Sequence, residues 1–207
     1  MRSDYKIYFN DSFLLMTATR PQMKEKFAVV LETESDINAF LNNPHILFDG
    51  STNAPVLLLS EKPGDCICRL MDKVEIVIAG GGIVFNERDE LLLIFRRGKW
   101  DLPKGKIELN EKIRDGAVRE VEEETGVKIA ETEPKPITTY HAYTLKGKNC
   151  LKQTEWYVMK AQPAQLNLVP QTEEDIEQVT WVPRTQLKNY CEGCYPLIWD
   201  LIERYVL

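Results

Sequence analysis

The sequence predicts an α/β protein, with an α/β/α layered domain preceded by a smaller α/β unit. Three observations carry that prediction. Short apolar runs rich in Val, Ile and Leu recur along the 207 residues and are bounded by Gly, Asn and Asp, as strands are. Two longer stretches, 110–125 and 195–206, repeat their apolar residues at helical spacing. Strands mixed with such helices bury both faces of a sheet under helices. Hydrophobic content of 43% and charged content of 28% are those of an ordinary globular protein. A formal charge of −6 argues against a general nucleic-acid binder. No N-terminal segment reads as a signal peptide, since the apolar run Phe13–Met16 is short and follows Asp11. No run has the length of a membrane span. The expected location is the cytoplasm.

In chain order, residues 1–72 form the smaller unit. Tyr5–Phe9 and Phe13–Thr17 read as strands around an Asn10-Asp11-Ser12 turn, and Phe27–Leu31 as another. Ser35 is placed to cap a helix through Leu41, ended by Asn42-Asn43-Pro44. Ile46–Phe48 and Val56–Leu59 are apolar strand runs, and a helix is expected from Pro63 or Gly64 to Met71. Residues 73–207 form the larger domain. Val74–Ala79 and Ile83–Phe85 read as strands around Gly80-Gly81-Gly82, which lacks the lysine and helix start of a phosphate loop and instead suggests close packing or a bend. Strands at Leu91–Phe95, Thr154–Ala161 and Glu177–Val182 follow, and an amphipathic helix over Tyr195–Val206 closes the chain.

The helix over 110–125 carries the chemistry. Leu109-Asn110-Glu111 predicts its start with Asn110 as N-cap, and Thr125-Gly126 its end. Ile113, Ala117, Glu120 and Glu124 share one face, which begins apolar and ends in acid. Four glutamates fall within Glu120–Glu124, where carboxylates oppose the helix macrodipole. An inward-facing acid is costly unless paired or metal-bound. Glu120, Glu123 and Glu124 are therefore expected to converge on magnesium or manganese, with Arg119 bracing Glu123 and Glu122 solvated. A solvated acidic face would share the composition, but not the full spacing.

That spacing is G-x5-E-x7-R-E-V-x-E-E-x-G-V, from Gly105 through Glu111, Arg119 and Glu120 to Gly126 and Val127. It fixes nine of 23 residues and resembles the box of the Nudix family at every defined position. The resemblance extends over roughly residues 74–207. It implies a Nudix-type sandwich with a mixed sheet, the box forming a loop–helix–loop in which Gly105, Glu111 and Gly126 are structural. It also implies hydrolysis of nucleoside diphosphates linked to another moiety. Trp100-Asp101-Leu102-Pro103-Lys104-Gly105 looks like the family's lead-in, where a backbone carbonyl, here that of Lys104, meets the metal.

Around the box, Arg96, Arg97, Lys99, Lys104 and Lys106 concentrate positive charge suited to a polyphosphate. Glu120 or Glu123 is a candidate base acting through water. Some family members place the base on a later loop, and Gln171–Asp175 offers Glu173 or Glu174 there as ligand or base. Tyr140 and Tyr143 are candidates to stack on adenine, and a tyrosine at this offset resembles diadenosine polyphosphate hydrolases. The same rings, alternating along a strand, would equally fill the core. The leading expectation is thus a metal-dependent hydrolase of dinucleoside polyphosphates. A MutT-like nucleoside triphosphate pyrophosphohydrolase and a non-cleaving nucleotide sensor are the alternatives. The partner is a small-molecule nucleotide rather than nucleic acid or membrane, and residues 1–72 are a candidate surface for a homodimer. Cys191 and Cys194 have the spacing of a redox pair or half a zinc site, while five cysteines and no export signal suggest reduced thiols.

Overall fold

The computed structural model describes residues 4–22, 27–163 and 167–207. In chain order its strands are β1 (Tyr5–Phe9), β2 (Ser12–Thr17), β3 (Val29–Leu31), β4 (Val56–Leu59), β5 (Glu75–Phe85), β6 (Glu90–Arg96), β7 (Lys99–Asp101), β8 (Lys104–Lys106), β9 (Ile129–Thr132), β10 (Ile137–Leu145), β11 (Lys148–Ala161) and β12 (Ile176–Pro183). Its α-helices are α1 (Glu34–Asn42), α2 (Pro63–Met71), α3 (Ile113–Thr125), α4 (Leu187–Cys191) and α5 (Pro196–Tyr205). Strand pairing is both parallel and antiparallel. The chain divides into two compact units, Met1–Val77 with Thr139–Gln153, and Ile78–Thr138 with Thr154–Leu207. Residues 139–153, which the sequence division after residue 72 assigns to the larger domain, cluster with the first unit.

In the first unit, β1 and β2 form a hairpin closed at Phe9↔Ser12, with Asn10 in the left-handed region that asparagine tolerates. β4 lies parallel to β2, and β3 parallel to β4. Alternate residues Ile7, Phe9, Leu14, Met16, Val56 and Leu58 face Ile37, Phe40, Leu41, Ile67 and Leu70 of α1 and α2. Two local expectations change. The cap of α1 is Thr33, whose side chain accepts the Asp36 N–H, rather than Ser35. The apolar run Ile46–Phe48 turns as a 3-10 helix at His45–Leu47 instead of extending, with Leu47 buried in the core.

The second unit owes its layers to period-two alternation. Ile83, Leu91, Leu93, Trp156 and Val182 point to one side, where they meet Leu187, Ile198, Leu201 and Ile202 of α4 and α5. Their neighbours Val84, Leu92, Tyr157 and Met159 point to the other, where Ala117 and Val121 of α3 cover them. The result is helix, sheet, helix.

The triple glycine marks close packing rather than a bend. It lies inside the continuous strand β5, directly beneath α3. A Cβ on Gly80 would sit 2.9 Å from the Ala117 methyl, and one on Gly82 would sit 2.6 Å from Val121 Cγ2 and 3.1 Å from Met159 Sδ. Gly82→Ala should therefore cost about 1–3 kcal/mol through overpacking, measured as a lower urea midpoint with unchanged slope.

Candidate active site

The helix that carries the acids begins later than the sequence suggests. Asn110 adopts φ 67° in the preceding turn, Lys112 is the residue before the helix, and α3 starts at Ile113. Glu111 belongs to that turn, where its Oε2 accepts the Glu108 N–H at 3.0 Å. Gly126 stops the helix in the left-handed conformation, donating its N–H to Glu122 O. Residues beyond it cap the exposed carbonyls: Val169 N–H donates to Thr125 O at 2.9 Å and Gln171 N–H to Glu124 O at 3.2 Å. The segment leading to Glu173 and Glu174 is thereby tied to the acidic end of α3. Spacing within the box carries no signal of this tie, which is made by backbone groups.

Arg119 organises the outer carboxylates. Its guanidinium grips Glu111 at 2.8 and 2.9 Å, and the same Nη1 reaches Glu120 Oε1 at 2.9 Å and Glu123 Oε2 at 2.8 Å. It also donates to the Lys106 carbonyl. The ion pair to Glu123 is the expected one, while those to Glu111 and Glu120 make Arg119 a hub. Held by Arg119 and by the Glu108 N–H, the Glu111 carboxyl falls to about 2. Bonding to Glu111, opposed by burial, raises the Arg119 guanidinium's affinity for its proton.

Glu124 behaves differently. It is 1% exposed, its Oε2 accepts the Lys104 backbone N–H at 2.8 Å, and its Oε1 lies 3.6 Å from Arg96. Burial pushes its carboxyl up to about 7, outweighing Lys104 and Arg96. Burial also raises Glu120, with Arg119 opposing and the negative charges of Glu123 and Glu174 adding to the rise. Gly105 makes this arrangement possible. A Cβ there would fall 1.8 Å from Glu120 Oε2, so β8 can lie against that carboxylate only without a side chain. Gly105→Ala should displace Glu120 and lower turnover about tenfold, with a change of about 1 kcal/mol in stability because the clash meets a mobile side-chain end. Steady-state kinetics beside a thermal melt would separate the two effects.

The remaining predicted residues sort by partner. Arg96 bridges Glu124 and Glu174, each at 3.6 Å. Arg97 pairs with Asp175, Lys104 Nζ with Asp101 at 2.5 Å, and Lys99 Nζ lies 4.6 Å over the Tyr195 ring. Lys106 is exposed and contributes its carbonyl to Arg119. The basic run is thus not a uniform open clamp. Glu174 is brought to Arg96, whereas Glu173 is exposed on the 3-10 turn Thr172–Glu174 without a described contact to the box. Tyr140 and Tyr143 belong to the first unit, where Tyr140 packs on Tyr5 and Tyr143 stacks on His141.

Three features go beyond what the spacing of the box implies. Glu122 is not idle: it accepts from Lys128 Nζ at 2.6 Å and the Ile129 N–H at 3.1 Å, clasping the turn after α3. Asp101 is buried, receiving Lys104 Nζ and the Leu102 N–H. Its burial could have been suspected from its place between Trp100 and Leu102. Third, one Arg119 nitrogen gathers Glu120 and Glu123, while Glu124 turns to the Lys104 N–H. Among the described residues no three acidic, His or Cys groups form a ready-made metal cage. The donor chemistry nonetheless fits a hard divalent cation. Glu120 and Glu124 are carboxylates made less stable as anions by burial, and magnesium is commonly held by one or two carboxylates plus substrate phosphates.

Fold and site together define a layered α/β domain that presents an acidic loop–helix–loop against its sheet. The NUDIX domain model matches residues 77–198, more than half of the chain, and the chain belongs to the Nudix family. The m7GpppN-mRNA hydrolase dcap-2 of Caenorhabditis elegans is 34% identical over 111 residues, which are 49% of this chain and 13% of that protein. A MutT-like protein of Streptomyces ambofaciens is 30% identical over 122 residues, 58% of this chain and 72% of that protein. The crystal structure of a MutT protein from Methanosarcina mazei Go1 is similar with a TM-score of 0.47 at 23% identity, covering 64% of this chain and 94% of that one. The chain spans only a small part of the C. elegans protein. No helix among the described residues is long and apolar enough to cross a membrane.

Proposed function

We propose that the protein is a divalent-metal-dependent pyrophosphohydrolase that cleaves nucleoside diphosphates linked to a second moiety, with dinucleoside polyphosphates as the leading substrate class. The observation that carries the reading is the pair Glu120 and Glu124, two carboxylates desolvated at the end of one helix and covered by the Lys104–Gly105 backbone. Family membership supplies the reaction class. The name of dcap-2 gives its substrate as m7GpppN-mRNA, in which a triphosphate joins two nucleosides at the end of an RNA, and that linkage supports the substrate class.

In this reading Glu120, Glu124 and the Lys104 carbonyl hold magnesium or manganese, with Glu123 as a further ligand. A bound divalent cation would offset pyrophosphate charge and lower the pKa of a bound water. Arg96, near both Glu124 and Glu174, is the cation placed to meet a phosphate oxygen as those carboxylates exchange partners. Glu120, whose proton affinity burial raises, is the proposed proton acceptor; Glu123 and Glu174 are the other candidates. Arg119 fixes Glu120 and Glu123 in place. Tyr140 and Tyr143 take no part in this reading. A second reading, hydrolysis of nucleoside triphosphates, is supported by the likeness to the MutT-like protein.

The test is turnover with magnesium of diadenosine polyphosphates, nucleoside triphosphates and ADP-ribose. The expected result is highest kcat/KM for a dinucleoside polyphosphate, and the same activity lost on chelation. Higher kcat/KM for triphosphates would favour the second reading. Binding without cleavage of every compound would leave a nucleotide sensor.

A further inference from the structure

The Cys191-Glu192-Gly193-Cys194 turn takes no part in the proposed hydrolysis. Helix α4 ends at Cys191, and the Cys194 N–H donates to Cys191 O at 3.0 Å, closing a turn of four residues. Gly193 enters the left-handed region at φ 88°, which lets the chain reverse in that space. Such a turn brings its first and last Cα within about 7 Å, at the edge of the range a disulfide spans. The exposure of the two thiols is unequal: Cys191 is buried, while Cys194 is half-buried and donates to Tyr190 O at 3.8 Å. The flanking helix is anchored by the Tyr190 ring, 5.1 Å from that of Trp100, and Leu187 and Cys191 are both part of the hydrophobic core. The remaining cysteines offer no comparable pair: Cys66 and Cys150 are buried, and Cys68 is exposed two residues from Cys66. Among the described residues no third Cys, His or acidic group joins the turn to complete a metal site.

We infer that Cys191 and Cys194 are a redox-active dithiol that closes to an intramolecular disulfide on reaction with a low-molecular-weight disulfide. The Cys194 sulfur, the more exposed of the two although Cys191 and burial raise its thiol, gives its proton to solvent, attacks one sulfur of the small disulfide and expels one small thiolate. Cys191, deprotonated in turn, attacks the Cys194 sulfur of the mixed disulfide and expels the second small thiolate. The protein loses two electrons and two protons, and the small disulfide becomes two thiols. A rigid helix end on one side and an open glycine turn on the other keep the resolving sulfur in place while the entering one rotates.

The full chain, reduced and metal-free, is equilibrated in glutathione buffers of increasing oxidation. Thiols are counted, and the peptide spanning 191–194 is weighed. Two of the five thiols should disappear, with that peptide lighter by two hydrogens and restored by dithiothreitol. Cys191→Ser in the same buffers should accumulate glutathione on Cys194, an adduct the unmodified chain clears. Retention of all five thiols in the most oxidising buffer would overturn the inference. So would glutathione left on Cys194 to the same extent in both proteins. Stoichiometric zinc retained by the turn on dialysis would overturn it as well, since the pair would then be part of a metal site.

Discussion

Replacing Glu124 by glutamine should move activity and stability in opposite directions. The amide keeps the shape and can still accept the Lys104 N–H, but it removes the negative charge that the proposed cation requires. We expect kcat/KM to fall at least a hundredfold, about 3 kcal/mol at the transition state. Stability follows the proton. Glu124 titrates near 7 in the fold against an ordinary 4.5, so its folded form favours the protonated acid. Its contribution is fully present below pH 4.5 and is lost as pH rises through 7. A rise of that size corresponds to about 3 kcal/mol at most, and glutamine does not ionise. In the presence of a chelator, the unmodified protein should therefore lose melting temperature between pH 5 and 8 from this site, about as that range spans the shift. The Glu124→Gln protein should not lose this share and should melt higher at pH 8. Equal pH profiles for the two would show that Glu124 is not the buried acid described; unchanged turnover would remove it from the reaction.

Arg119→Met should be the second large loss. Methionine keeps much of the packed stem but releases Glu111, Glu120 and Glu123 together. The pairs are partly solvated, so the stability cost is about 1–2 kcal/mol rather than the value of a fully buried network. Turnover should fall ten- to a hundredfold, because Glu120 loses the contact that orients it. Acid tolerance gives an independent readout. Glu111 titrates near 2 in the fold against an ordinary 4.5, so it stabilises above pH 4.5 and that share is lost as pH falls through 2. Without Arg119 this advantage goes, and the acid limb of the melting curve should shift upward in pH. Arg119→Lys should recover only part of the activity, since an ammonium cannot grip Glu111 with two parallel bonds while also bridging Glu120 and Glu123. Full recovery in the lysine variant would reduce the hub to a single charge.

Periodicity made much of this molecule legible. The apolar alternation of β5, β6, β11 and β12 places the sheet, and the i, i+3, i+7 stripe Ala117, Glu120, Glu124 places two acids on the inward side of α3. Side-chain direction was harder. Arg119 and Glu123 are correctly spaced for a pair, but the spacing also admits a cluster around metal, and the guanidinium's fork decides for the pair. Short strands β7 and β8 lay unseen in a polar loop because their pairing with β6 and β5 is long-range. The same holds for the backbone bonds from Val169 and Gln171, which identify no residue type. The chemistry of Asn110 suits a cap, but its side chain serves a left-handed turn equally well. The run Ile46–Phe48 had β composition without the length to pair.

The glycines of β5 have a mechanical consequence. At Gly80 and Gly82 the Ala117 methyl and the Val121 side chain of the helix rest on strand backbone with no glycine side chain between, so the strand's contribution to the separation is set by main-chain atoms that have no rotamers. The strand side of that bearing surface cannot relax by turning a torsion, and its height is fixed to within the compressibility of packed atoms. The carboxylates at the far end of α3 inherit that reference plane. Errors in their position then arise chiefly in their own side chains, where Arg119 and the Lys104 amide apply the correction.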